Sequence, residues 1–389
     1  MNRLLALHPV RAGAVGRRFA PLLGVLLSVA GPALATPFVP VDPDQVLERL
    51  PLAATDSKTR ELQGLRRQLA ERPDDLELAL QVARRNLEIP RHYGYVQAAL
   101  APWWNQSSPP PEVLVLRAVL RQNRHDFDGA LADLRQVLAA NPRQPQAWLT
   151  RAVIRQVQGE PADALRSCLA LRRLANALVF SACLSGALGR NGQAEFAYTS
   201  LRRALETATE ADAEERLWAL TVLAETAEQR GDDANAEAHF RAALALGRRN
   251  LYLLAAYADF LLDRNRSAEV RDLLRDERRA DNLLLRLALA ERRLDDPGWQ
   301  RHAELLEARF AAARERGDGT HYPAEALELA RRNWAQGQRE PQDARLLLEA
   351  ALAADRPDAA REVLDWLARV KLEDQRLAEL SRRLREPAS

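Results

Sequence analysis

Residues 111–142 read PEVLVLRAVLRQNRHDFDGALADLRQVLAANP. Apolar residues recur at helical spacing in both halves, which predicts two short helices joined by a tight turn. Pro145 then opens a second stretch of the same kind, 34 residues after Pro111. A period of that length means stacked helix pairs rather than one globular core.

Counted from Pro111, Leu114 is fourth, Ala118 eighth, Ala130 twentieth, Leu134 twenty-fourth, Val137 twenty-seventh and Pro142 thirty-second. Small residues at 8 and 20 let antiparallel helices approach, and bulky ones at 4 and 24 fill the groove between neighbouring pairs. This register resembles the tetratricopeptide repeat. In residues 145–177, Trp148, Ala152, Gly159, Ala164 and Cys168 stand at 4, 8, 15, 20 and 24. Leu184, Leu188, Gly192, Ala197, Leu201 and Ala204 carry the register through 178–211, and Leu223, Ala224, Gly231, Ala236, Phe240 and Ala243 through 217–250. Tyr257, Ala258, Leu261 and Leu274 continue it to residue 284. The resemblance implies an all-α fold, an α-solenoid of antiparallel helix pairs winding as a right-handed superhelix. Arg117 and Arg151 depart from the pattern at position 7, where leucine is expected, and residues 207–215 form a connector a few residues too long.

Around those five units the organisation is less regular. Residues 1–35 carry Arg3, Arg11, Arg17 and Arg18, then an apolar run ending in Ala33-Leu34-Ala35, the small-x-small pattern of a signal peptide. Pro21, Gly24, Gly31 and Pro32 break that run, which argues against a stable membrane span; an uncleaved anchor is the alternative. Cleavage after Ala35 would send the chain to the periplasm or outside the cell. Residues 36–57 are a Pro-rich linker, and 58–110 a capping helix with an irregular first repeat. In that part PWWNQSSPPP, residues 102–111, reads as a break, with Trp103 and Trp104 packing over the end of the first repeat. Residues 285–389 hold degenerate repeats: a helix pair, a single helix over 324–336 with no obvious partner, a second pair and a charged terminal cap.

Charge and composition exclude several classes of function. The net charge is +2, and taking away the four arginines of residues 1–35 leaves −2, with the remaining arginines interleaved among acids. No basic footprint for nucleic acid is present. The sequence has no HExxH, phosphate loop, GxSxG elbow or dinucleotide fingerprint, so no catalytic residue, metal site or cofactor is expected. His92, His125, His239, His302 and His321 read as surface or turn residues. Cys168 and Cys183 flank a predicted turn at Ala175-Asn176, which puts them at similar height on antiparallel helices. An oxidising compartment permits a disulfide there; two buried thiols are the alternative.

The resemblance implies a protein or peptide partner held on the concave face, at positions 2, 5, 9 and 12 of each first helix. Those positions give Gln146 and Gln156 in one unit, Trp218, Thr221, Glu225 and Glu228 in another, and Tyr252 and Asp259 in the next. Trp218 and Tyr252 are 34 residues apart and are expected side by side, or packed between helices. The carboxylates suit a partner of basic or mixed charge. A structural part in a polysaccharide export or cell-envelope machine is the alternative expectation.

Overall fold

The computed structural model describes residues 57–87, 92–277, 280–315, 326–354 and 356–385. The signal peptide expected over 1–35, the linker up to residue 56 and His321 lie outside the described residues. All regular structure among the described residues is helical.

Helices α1 (Ser57–Glu71), α2 (Leu76–Leu87), α3 (Tyr93–Ala99) and α4 (Ala101–Trp104) form the irregular start. The Asp75 carboxylate accepts the Leu78 N–H at 3.0 Å, capping α2 as a first-turn acid should. α4 corrects the sequence reading of a break at 102–111: its one turn carries Trp103 and Trp104, which pack beside Leu80, Leu100 and Val113.

Five pairs follow in phase: α5 (Pro111–Asn123) with α6 (Phe127–Ala140), α7 (Pro145–Val157) with α8 (Pro161–Ala170), α9 (Ala177–Gly189) with α10 (Ala194–Thr207), α11 (Ala213–Gln229) with α12 (Asp233–Ala245), and α13 (Leu251–Asp263) with α14 (Ser267–Leu274). Each second helix packs on the next first helix, and the first helices α5, α7, α9, α11, α13 and α15 (Asp281–Arg293) touch in sequence. They make one continuous inner layer. Ala118, Ala152, Ala224 and Ala258 at position 8 are fully buried, as are Leu134, Cys168, Leu201, Phe240 and Leu274 at position 24. A buried leucine of this kind contributes about 2 kcal/mol. Asn176, Asp212, Asp232 and Asn250 cap α9, α11, α12 and α13 through their side chains. The over-long connector becomes an extra turn of α11, started by a capping box between Asp212 and Glu215.

Position 15 of the five regular units, and Asp295 after α15, take a left-handed backbone: φ is +64° at His125, +70° at Gly159 and Gly192, +76° at Gly231, +56° at Asn265 and +52° at Asp295. Gly, Asn, Asp and His are the residues that tolerate this region.

Arg117 is buried rather than disruptive. Its guanidinium donates to both oxygens of Asp133, at 2.9 and 2.7 Å, and lies over the Trp104 ring at 5.6 Å. The pair replaces an apolar contact inside one unit. Arg151 is half-buried with its guanidinium 5.4 Å from the Trp148 ring centroid; burial, then the neighbouring Arg155, lowers its pKa.

After α15 and α16 (Gly298–Glu315), helices α17 (Ala326–Ala335), α18 (Pro341–Ala353), α19 (Arg361–Val370) and α20 (Gln375–Arg385) build a separate core of Trp334, Leu347, Leu348, Val363, Trp366 and Leu377. Two expectations change here. α17 has a partner, since it packs on α18, and α20 packs back on α18. The C-terminal module is not a cap alone: it reaches turns from Phe127 in the first regular unit to Asp263 in the fifth.

Candidate partner-binding site

Cys168 and Cys183 are joined by a disulfide with Cα atoms 5.6 Å apart, tying α8 to α9. Both are buried beside Ala152, Ala164, Leu171 and Ala187, and half-buried Trp218 packs on this cluster as well as on its own unit's core. Trp218 therefore fills a seam between units and is not an exposed twin of Tyr252. Thr221 is buried too, its hydroxyl donating to the Leu217 carbonyl at 2.8 Å, so it offers a partner nothing. Gln146 is exposed and donates to Thr150 Oγ1 at 3.2 Å, while Gln156 rests against Gly186 of α9.

The charged residues behave differently from one another. Asp259 is held by both nitrogens of the Arg286 fork, at 2.9 and 2.6 Å. Glu228 accepts from Arg264 at 3.3 Å and from Arg376 of α20 at 2.8 Å. Asp263 accepts from Arg345 of α18 at 2.5 and 3.2 Å and from Arg376 at 3.2 Å. These carboxylates are already neutralised from within the chain.

Glu225 is the exception. Its direct partner is a hydroxyl: Tyr252 Oη donates to Glu225 Oε1 at 2.5 Å. Tyr252 is 51% exposed while its hydroxyl is anchored. Burial pushes the Glu225 carboxyl up to about 7, against the Tyr252 hydrogen bond and the charge of Arg190, which both favour ionisation. Burial, then the charges of Glu225 and Glu340, raises the Tyr252 phenol well above its ordinary value. Arg190 is itself committed to Glu340 at the start of α18, at 3.1 Å. The arrangement is an anchored aromatic over a carboxylate that titrates near neutrality.

Among the described residues no group of three His, Cys, Asp or Glu is placed to hold a metal ion. His125 sits in a turn, but His92 and His302 are buried, contrary to the sequence reading; His302 Nδ1 lies 2.6 Å from Glu291 Oε2. Among those residues no helix is long and apolar enough to cross a membrane.

What sequence reasoning missed is the C-terminal module along the inner layer's edge. One signal was present: glycine stands at position 15 at residues 159, 192 and 231, the turns where a Cβ would meet the module at close range.

No family model matches the sequence, and no curated protein matches it. Similar solved structures include a chain of the APC/C hetero-tetramer Cut9–Hcn1, at 13% identity over 85% of this chain and 53% of that one, TM-score 0.41. This chain thus spans about half of that one's length. A monomeric mutant of IFIT1 with Gppp-AAAA matches at 12% identity, 80% and 76% coverage and TM-score 0.44. A tetratricopeptide repeat protein from Parabacteroides merdae matches at 12% identity, 76% and 99% coverage and TM-score 0.39.

Proposed function

Starting from a chain built as a tetratricopeptide-type solenoid, we propose that it is an exported, non-enzymatic scaffold that binds a protein or peptide partner on its inner face, within an envelope assembly. The observation that carries this reading is the Tyr252–Glu225 pair. Anchored aromatics beside charges are the side chains that dominate recognition surfaces. Glu225 meets a hydroxyl where its neighbours Glu228, Asp259 and Asp263 meet guanidinium groups, so a partner's cation beside it would draw it into the ionised form. The signal-like run in residues 1–35 supports export, and the disulfide between Cys168 and Cys183 is at home in an oxidising compartment.

The test is photo-crosslinking in the host cell from position 252. One defined protein, identified by mass spectrometry and lost with Glu225→Gln, supports the reading. Capture of glycan alone, or no adduct, overturns it and favours the structural role in a polysaccharide machine.

A further inference from the structure

The first helices of the five units run parallel, so their C-terminal ends form a ridge. Each end carries carbonyl groups without intrahelical donors and a partial negative charge. Glu228 and Asp263 add full charges to that ridge. Residues 326–385 lie along it and answer it chemically. The Arg339 N–H donates to the Val157 carbonyl at 2.7 Å, the Trp366 indole to the Gly159 carbonyl at 3.1 Å, and the Gln375 amide to the Arg230 carbonyl at 3.4 Å. All three acceptors end or follow a first helix. Arg345 and Arg376 supply cations to Asp263 and Glu228.

The backbone has made room for this contact. A Cβ on Gly159 would stand 2.6 Å from Trp366, on Gly192 2.6 Å from the Lys371 carbonyl, and on Gly231 against the Gln375 side-chain amide. The turns at His125, Asn265 and Asp295 hold the same left-handed conformation without glycine. Conformation alone therefore does not demand glycine; close approach does, at Gly192 to the Lys371 backbone carbonyl and at Gly159 to the Trp366 ring and Arg339 Cβ.

We propose that residues 326–385 are an internal ligand of this ridge, and that an external partner reaches Glu228 and Asp263 only as a basic segment displacing Arg345 and Arg376. The proposal rests on the inner face being the binding surface. A tethered ligand acts at roughly millimolar effective concentration. It lowers the partner's apparent affinity by the fraction of molecules in which the ridge is open.

The experiment measures a fluorescein-labelled oligo-arginine peptide binding to the full-length protein by anisotropy, at low salt. Arg345→Gln with Arg376→Gln is expected to tighten binding about tenfold, the scale of one charge-assisted contact. Adding Glu228→Gln and Asp263→Asn is expected to abolish that gain. No gain, or a gain that survives the added pair, overturns the proposal. Trp366→Phe, which keeps every charge, provides a second readout: amide exchange at Gly159, Gly192 and Gly231 is expected to accelerate, and unchanged exchange overturns the proposal equally. A missing Tyr252 adduct alongside the expected peptide gain would sink the proposed function while leaving the internal ligand standing.

Discussion

The indole N–H of Trp366 donates to the carbonyl oxygen of Gly159 at 3.1 Å, across 207 residues of chain. The ring is buried against Trp334, with centroids 5.3 Å apart. Trp366→Phe should cost about 1 kcal/mol for the lost hydrogen bond, and Trp366→Ala about 3–5 kcal/mol for the emptied core. Urea denaturation checks both. Equal costs would mean that the ring's volume adds nothing beyond the hydrogen bond to Gly159.

Gly192 and Asn265 share a left-handed backbone conformation, and a Cβ on Gly192 would stand 2.6 Å from the Lys371 carbonyl. Asn265→Ala should cost the left-handed penalty alone, about 1–2 kcal/mol. Gly192→Ala must also push away the Lys371 carbonyl, so its cost should be clearly larger. If denaturation midpoints fall equally, the module does not press on that turn.

Glu225 sets a pH dependence. Its carboxyl is raised from 4.5 to about 7 by burial, so the folded protein holds a proton that the unfolded chain has released between those values. Stability from this group is therefore present at low pH and lost as pH rises through 7. Tyr252, Arg190, Glu340 and Glu228 are the groups that feel its charge. Relative to wild type, Glu225→Gln should gain stability between pH 5 and 8, as read by thermal melts in matched buffers. A relative loss over that range would reverse the assigned sign.

Asp133 compensates Arg117 inside the first regular unit. Asp133→Ala strands a buried guanidinium and should cost about 3–5 kcal/mol. Replacing both by leucine restores the apolar position 7 and should recover most of that cost, less the contact that Arg121 makes with Asp133 at 2.8 Å. Chemical denaturation of the single and double variants decides. A double variant as unstable as Asp133→Ala would mean that the site cannot accept leucine.

The Cys168–Cys183 bond closes a separation of 15 residues. In the chain-entropy account such a loop contributes about 3 kcal/mol. Cys168→Ala with Cys183→Ala should lower the melting temperature, and reductant should then have no further effect. Because both sulfurs are buried, wild type should resist reductant until it begins to unfold.

Most of the architecture was legible because each unit's burial is decided within about 34 residues. Ala118 against Ala130 is a local match, and so is the register of Leu134. The Cys168–Cys183 pairing was open for the same reason, since one turn separates the two helices. The inner face was legible only in part. Position 5 gave Thr221, but packing between units took it inside, and Trp218 was drawn into the seam beside the disulfide cluster. The module's docking left almost no trace. Its acceptors at Val157, Gly159 and Arg230 are backbone carbonyls, which every residue has, and its donors lie more than a hundred residues away.

A stack of helix pairs whose units touch only their neighbours behaves as a spring, stretching and unwinding one coil at a time. The strap from Phe127 to Asp263 changes that mechanics. It is a chord across the arc, and a chord fixes curvature. Widening the coil, losing an end unit and releasing the strap become a single event, so the five units should melt together and not in series.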